Sequence, residues 1–414
     1  MLILFAIVLT DLIGFGIVIP LLPFYAEHFG ASPNTVTAVM ATYSAGQLLM
    51  APVWGRLSDR LGRRPVLLVS LVGSIFGYLW LGFADSLWVL FAARAVQGGM
   101  AGNIAAAQAY IADVTTPEKR AKGMGMIGAA FGLGFIFGPF IGGILAGSDP
   151  HHPDAAAPAF LAAGLSALAF LGTVFFLKES LPAEARRKAG ARSSRLVAIR
   201  RAFERPRLRL LILLFFAITA AFSAMETTFA MWTERQFGWG PQQVSYIFVY
   251  IGLLAATIQG GLIHRLTRKY GEKRVLLAGT ASIVLGLLMV PLSGTLPLLL
   301  IATGLLAIGM GLTQPSISSL ISREAQAHEQ GEVLGVAQST GSFARICGPI
   351  AAGTLMGGLG RHAPYLAGAA VMAAVVVAVW RKLLGPEPEP LTEAEPVPEP
   401  LAVAETEPET DPVS

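Results

Sequence analysis

The sequence predicts an all-α integral membrane protein, with twelve transmembrane helices in two pseudo-symmetric six-helix bundles. Three observations predict it. Of 414 residues, 54% are hydrophobic and only 14% charged, against about 25% charged in soluble domains; mean hydropathy is +0.62. The apolar residues fall into runs long enough to span a bilayer as helix, which takes about 20 residues. The chain also repeats itself at an offset of 209–210 residues.

The runs are 2–24, 35–56, 65–84, 87–112, 121–146, 157–177, 208–233, 242–264, 274–292, 296–322, 331–357 and 363–384. The first begins at Met1-Leu-Ile-Leu-Phe with no basic segment ahead of it. It is too long for a signal-peptide core, so a retained first helix is expected. Residues 1–55 carry no Lys or Arg, and Arg56, Arg60, Arg63 and Arg64 then follow within one short turn. Cationic loops stay cytoplasmic. Counting from that turn, 26 of 30 cations fall in cytoplasmic turns, two in outer loops (Arg235, Arg361) and two inside spans (Arg94, Arg345). Twelve spans with both termini cytoplasmic follow, in a plasma membrane (the inner membrane if the source is bacterial). The net charge of +4 is thereby absorbed by topology, and no nucleic-acid partner is expected.

Residues 1–177 form the N-terminal bundle in this reading and 208–384 the C-terminal one. The interval 178–207 is a basic cytoplasmic linker suited to lying near anionic lipid. From 385 to 414 the chain is acidic and Pro-rich (Glu387-Pro-Glu-Pro390), the composition of a disordered tail. The single cysteine, Cys347, excludes an intrachain disulfide framework.

The repeat is carried by separate segments. At offset 210, Gly99-Met100 matches Gly309-Met310, Gly125 matches Gly335, Gly138-Pro139 matches Gly348-Pro349, and Gly143 matches Gly353. At offset 209, Arg56, Arg60 and Gly62 match Arg265, Lys269 and Gly271, and Val66-Leu67-Leu68 matches Val275-Leu276-Leu277. Repeats of this kind imply two similar bundles with a site between them.

Four motifs now stand together: Gly55-x-x-x-Asp59-Arg60-x-Gly62-Arg63-Arg64 between spans 2 and 3; Arg94-Ala-Val-Gln97-Gly98 in span 4, with Asp113 and Pro117-Glu-x-Arg120 at its inner end; Gly134-Phe-Ile-Phe-Gly138-Pro139-x-x-Gly142-Gly143 in span 5; and Asp11-x-x-Gly14 with Pro20 in span 1. With these the chain resembles the major facilitator superfamily, and within it the tetracycline-efflux-like drug:proton antiporters. The resemblance covers residues 1–384. It implies the major facilitator fold, alternating access, proton coupling, and a role for Arg94 in proton transfer. The sequence departs from tetracycline exporters, which carry further acidic or histidine groups in spans 8 and 9. Here span 8 has no ionisable residue before His264 and span 9 (275–292) has none, while span 7 carries Glu226. Tetracycline itself is therefore not implied.

An ionisable side chain inside a span costs about 2.5–3.5 kcal/mol on insertion scales, so each is a functional candidate. Asp11, Arg94, Glu226 and Arg345 are the four. Mutual ion pairs holding helices in register are the bland alternative. A carboxylate facing a closing passage loses water and holds its proton more tightly; a nearby Arg or cationic substrate reverses that. Proton coupling is thus assigned to Asp11, Arg94 and Glu226, and substrate contact to Gln47, Gln97, Asn103, Phe222, Phe229, Gln259, Gln314, Gln338 and Arg345. Tyr43, Gln108 and Thr227 complete a sparse polar lining. A mostly apolar lining with a buried acid suits lipophilic or cationic organic molecules, although the aromatics could equally face lipid. Trp232 and Trp239 fit interface anchors.

The inner-turn set Gly55, Asp59, Arg60, Gly62, Arg63 and Arg64, with Asp113 and Arg120, fits a latch that joins the bundles in the outward-open state; plain topology signalling needs only the cations. In span 5, Gly134, Gly138 and Gly142 recur every four residues beside Pro139 and Gly143, a spacing that admits a neighbouring helix closely. That serves packing, export direction or both. His151-His152-Pro-Asp154 is too slight for a metal site, and no metal or cofactor is expected. No G-x-x-x-x-G-K-[ST] loop occurs, which argues against an ATP-driven pump; no nucleophile–base pattern appears, so no enzyme is expected.

The expected function is export of small organic compounds against inward proton flow by a functional monomer. A proton-coupled symporter importing a polar metabolite is the alternative, and a non-transporting receptor or scaffold a further one.

Overall fold

The computed structural model describes residues 2–115, 117–182, 195–325 and 329–384, without the side chains of 2, 117–125, 131, 195–196 and 330–331. Helices joined by short turns and loops make up the described residues, with no strand among them. The Arg120 side chain, linker residues 183–194 and the tail 385–414 lie outside them.

Ten helices are long and apolar enough to cross a membrane. The first comprises α1 (Leu2–Val18) and α2 (Leu22–His28), parted just before Leu22 at Pro20, where a missing N–H interrupts the ladder. Next come α3 (Pro33–Leu61), α4 (Arg63–Gly82), α7 (Pro117–Ala146) and α8 (Ala156–Phe176). The second half has α10 (Pro206–Phe237), α11 (Pro241–Thr257) continued through a π turn into α12 (Ile263–Tyr270), α13 (Glu272–Met289), α14 (Leu296–Glu324) and α16 (Ala363–Leu383).

The other two spans expected from sequence are also helical. The run 87–112 is not one rod: α5 (Leu87–Gly99) and α6 (Asn103–Val114) are separated at Met100–Gly102. The eleventh is α15 (Gln330–Leu359), whose Gln338, Ser339, Thr340, Ser342 and Arg345 dilute its hydropathy. The architecture is consistent with twelve spans.

Local signals set the ends. Ser32 caps α3, accepting from Thr35 N–H at 3.3 Å, with Pro33 in the first turn. Gly62 closes α3 at φ +110° and Gly271 closes α12 at φ +80°, a region open to glycine and strained for other residues. The Glu179 carboxylate accepts from Arg63 N–H at 2.9 Å and Arg64 N–H at 3.2 Å, an anion at the positive end of α4. The interval expected as a solvated linker is therefore partly built in. Within it, α9 (Arg195–Glu204) buries Ala198 and Ala202, one turn apart, toward the C-terminal half.

Packing repeats between the halves. The α1–α7, α1–α8, α4–α8 and α3–α5 pairs have counterparts in α10–α15, α10–α16, α13–α16 and α11–α14. The halves meet chiefly through two crossed pairs, α3 with α15 and α7 with α11. At the face opposite the Gly62 and Gly271 turns, named the outer face after the side to which the cation count assigns it, a side chain on Gly143 would strike Ser245, and one on Gly353 would strike Thr37. Glu27 pairs with Arg235 across the halves at 2.7 Å, and Gln242 N–H donates to Gly147 C=O at 3.1 Å. These contacts join the halves and shut the passage at this face.

Candidate functional site

Asp11 sits in mid-α1, 7% exposed. Its Oδ2 accepts from the Asn103 side-chain amide, and its Oδ1 is buried with no partner. Asn103 reaches it because α6 begins there, directly after the break.

Arg94 lies one turn before the end of α5 and is 4% exposed. Its guanidinium donates to Gln97 Oε1 at 2.9 Å and lies 4.6 Å from the Tyr43 ring centre, a cation–π contact in a desolvated place. Arg94 Nε and Gln97 Nε2 are buried without partners. This corner depends on two glycines. A Cβ on Gly46 would come 2.7 Å from Gly99 N, and one on Gly98 would overlap the Tyr43 backbone. Tyr43 also meets Phe15 at 5.2 Å between ring centres, and Phe15 meets Phe135 at 6.3 Å.

In the second half, Glu226 (α10) and Arg345 (α15) are half-buried. Arg345 donates to Ser342 Oγ at 3.3 Å, and its charge reaches both Glu226 and Tyr43. Among the described residues the four intramembrane charges form no ion pair with one another within 4.0 Å. Each carries its own neutral partners or none, rather than holding helices in register as pairs.

The other expected contact residues scatter. Gln47, Phe222 and Gln314 are half-buried, whereas Gln259 and Gln338 are exposed. Phe229 is fully buried in the core, 6.4 Å from Trp232 and 5.8 Å from Phe248 between ring centres. Trp232 is not an interface anchor: it is 0% exposed and its indole faces His362 Nδ1 at 3.3 Å. At the outer loop, the His151 and His152 N–H groups both point at Asp149 and hold its carboxyl below the usual carboxylate range, His151 contributing most.

The inner turn gathers most of the expected latch. Arg63, 7% exposed, pairs with Asp59 at 2.7 Å and Asp113 at 2.9 Å and donates to Ser58 Oγ at 3.0 Å. Arg64 donates to Val174 C=O at 2.7 Å. Arg60 is exposed and Gly55 half-buried. These described contacts join α3, α4, α6 and the end of α8 within one half, not the two halves to each other.

The glycine stripe on α7 faces α1. A Cβ on Gly134 would come 2.8 Å from Leu12 Cβ, one on Gly138 would come 2.6 Å from Gly16 Cα, and one on Gly142 would overlap Ile17 C=O. Pro139 Cδ is itself near Gly16. The stripe therefore seats the helix that carries Asp11, while Gly143 turns the other way, to α11. Sequence reasoning missed Ser70, Trp54 and Glu179. A Ser in an apolar run, a Trp near a span end and an acid just after span 6 give no signal until the chain is folded.

A membrane transporter of two repeated six-helix halves with charges sealed inside is what this fold and site define. The chain belongs to the Major Facilitator Superfamily, whose description it matches over residues 4–294 and again over 254–408. It is 32% identical to the class B tetracycline resistance protein of Escherichia coli over 83% of this chain and 85% of that one. It is 30% identical to multidrug resistance protein 2 of Bacillus subtilis, over 87% and 89%. In structure it is similar to the human organic anion transporter MFSD10, with TM-score 0.71, 27% identity, and coverage of 91% of this chain and 98% of that one.

Proposed function

We propose that this transporter is a proton-coupled exporter of small lipophilic or cationic organic compounds, working by alternating access as a monomer in the plasma membrane with both termini cytoplasmic. The carrying observation is Asp11: a buried carboxyl with one oxygen on Asn103 and the other without a partner. A carboxylate so placed is costly, and a proton on the free oxygen relieves the cost. Glu226, without an ion pair, is the second exchangeable acid. Arg94 and Tyr43 fix the charge between them. Relatives named for tetracycline and multidrug resistance support the efflux direction.

Inverted vesicles with an acid interior and a pH-sensitive dye, challenged with ethidium, tetracycline and related compounds, test this. Substrate-driven proton release is expected, and Asp11→Asn and Glu226→Gln should each abolish it. Full-rate, gradient-driven transport in both variants would overturn the assignment; co-directional movement would establish symport instead. A second reading, anionic substrates, is favoured by Arg345. It is half-buried with no carboxylate within 4.0 Å among the described residues, and the human relative is named for organic anions. Organic carboxylates belong in the same panel.

A further inference from the structure

A break in a transmembrane helix frees backbone groups that have no water to turn to. At Met100–Gly102 two side chains from other helices take them up. Ser70 on α4 is 0% exposed. Its hydroxyl donates to Met100 C=O and accepts from Gly102 N–H at 3.1 Å and Asn103 N–H at 3.0 Å. Trp54 on α3 donates its indole N–H to Gly99 C=O at 2.7 Å. Residue 102 must be small for this, since a Cβ there would come 2.7 Å from Trp54 Cγ. The consequence is where α6 starts. Asn103, its first residue, accepts from Ile104 N–H at 2.9 Å with its Oδ1, which leaves its NH2 turned to Asp11.

We propose that Ser70 is a positioning residue for proton exchange: by bridging the break it holds Asn103 against Asp11, and through Asn103 it sets the pH at which Asp11 takes up and releases its proton. This rests on Asp11 carrying the exchanged proton, as proposed above. An N–H donated to a carboxylate favours the charged form, and a helix starting beside it adds a partial positive end. The other titratable groups near Asp11 are few. The phenols of Tyr43 and Tyr78 are within reach of its charge, and Arg94 lies beyond Tyr43. Of the helices packed on α1, α8 carries no titratable side chain, nor does α7 over 126–146. On α6, Tyr110 is buried in the core and Asp113 is held by Arg63. No cation competes with Asn103 for the carboxylate among the described residues.

The test needs no substrate. The purified full-length protein is titrated by infrared difference spectroscopy, and the protonated-carboxyl band lost in Asp11→Asn is followed against pH. Asn103→Ala should raise the midpoint of that band by roughly one pH unit, the scale of one hydrogen bond to a charged group. Ser70→Ala should move it the same way, and Ser70→Ala combined with Asn103→Ala should move it no further than Asn103→Ala alone. Trp54→Phe, which keeps an aromatic ring and drops the N–H, should give a smaller shift of the same sign, and serves if Ser70→Ala does not fold. An unmoved midpoint in Ser70→Ala, or in Trp54→Phe where Ser70→Ala does not fold, overturns the proposal, and so does a shift fully additive to that of Asn103→Ala. If Asp11→Asn removes no band, or leaves vesicle transport coupled, the Asp11 reading itself fails. If Asp11→Asn uncouples transport while Ser70→Ala leaves the midpoint in place, only the role of Ser70 fails.

Discussion

Arg63 and Arg345 carry the same charge in opposite surroundings, and the difference decides what each does. Arg63 is enclosed by Asp59, Asp113 and Ser58; Arg345 has Ser342. Removing one partner of a buried charge set leaves the others uncompensated, which costs about 3–5 kcal/mol where burial is complete. Asp59 and Asp113 keep 18% and 21% side-chain exposure, so Arg63→Ala should cost less, about 2 kcal/mol, read as a lower thermal unfolding temperature in detergent. Arg345→Ala should leave that temperature nearly unchanged and alter transport instead. The motif announced Arg63 as important from sequence. That it is a buried structural hub while Arg60, four residues from Arg56 on the same turn, lies exposed was not legible, because the distinction depends on where Asp113 and Glu179 arrive from distant spans.

Among the elements, α1 and α7 show what a sequence pattern carries well. Glycines every four residues on one face require a close neighbour, and the structure supplies α1, backbone against backbone. Gly138→Ala should therefore destabilise by about 1–3 kcal/mol, an overpacking cost, and impair transport by displacing Asp11. On α8, a Cβ added to Gly164 would meet nothing within 4 Å, and Gly164→Ala should be neutral or mildly stabilising, since alanine favours helix. Equal unfolding temperatures for the two variants would refute the packing account. The fourth span shows the converse. The apolar run 87–112 holds no proline and reads as one span. What breaks it is tertiary: Ser70 and Trp54 satisfy the freed groups, and neither neighbours residues 100–102 in the chain. Asp11, Arg94 and Glu226 stood out because charge in a span is costly anywhere. Ser70 did not, because a serine is cheap in a helix and its worth appears only at the break.

For the whole molecule, the repeat predicted from matched glycines reappears as matched contacts, and these explain how the outer face closes. Gly138 meets Gly16 in one half as Gly348 meets Ala220 in the other; Gly143 reaches α11 as Gly353 reaches α3. Closure thus has two kinds of component. One is the Glu27–Arg235 pair, with side-chain exposures of 22% and 32%, beside an open cavity of about 500 Å³ that His28, His151 and Glu234 also line. A partly exposed pair is worth about 0.2–1 kcal/mol, so Arg235→Ala should change the ratio of closed to open outer faces by no more than roughly fivefold. The other is glycine contact. A side chain on Gly353 would come 3.0 Å from Pro33 C=O and 3.1 Å from Asn34 Cα, backbone that cannot swing aside. Gly353→Leu should disfavour closure by about 1–3 kcal/mol, a shift on the order of tenfold or more. Spin labels at Ser32 and Gly358, exposed outer positions on opposite halves, read both by the share of long distances. A larger shift for Arg235→Ala than for Gly353→Leu would mean that charge, not the fit of small residues, keeps the outer mouth shut.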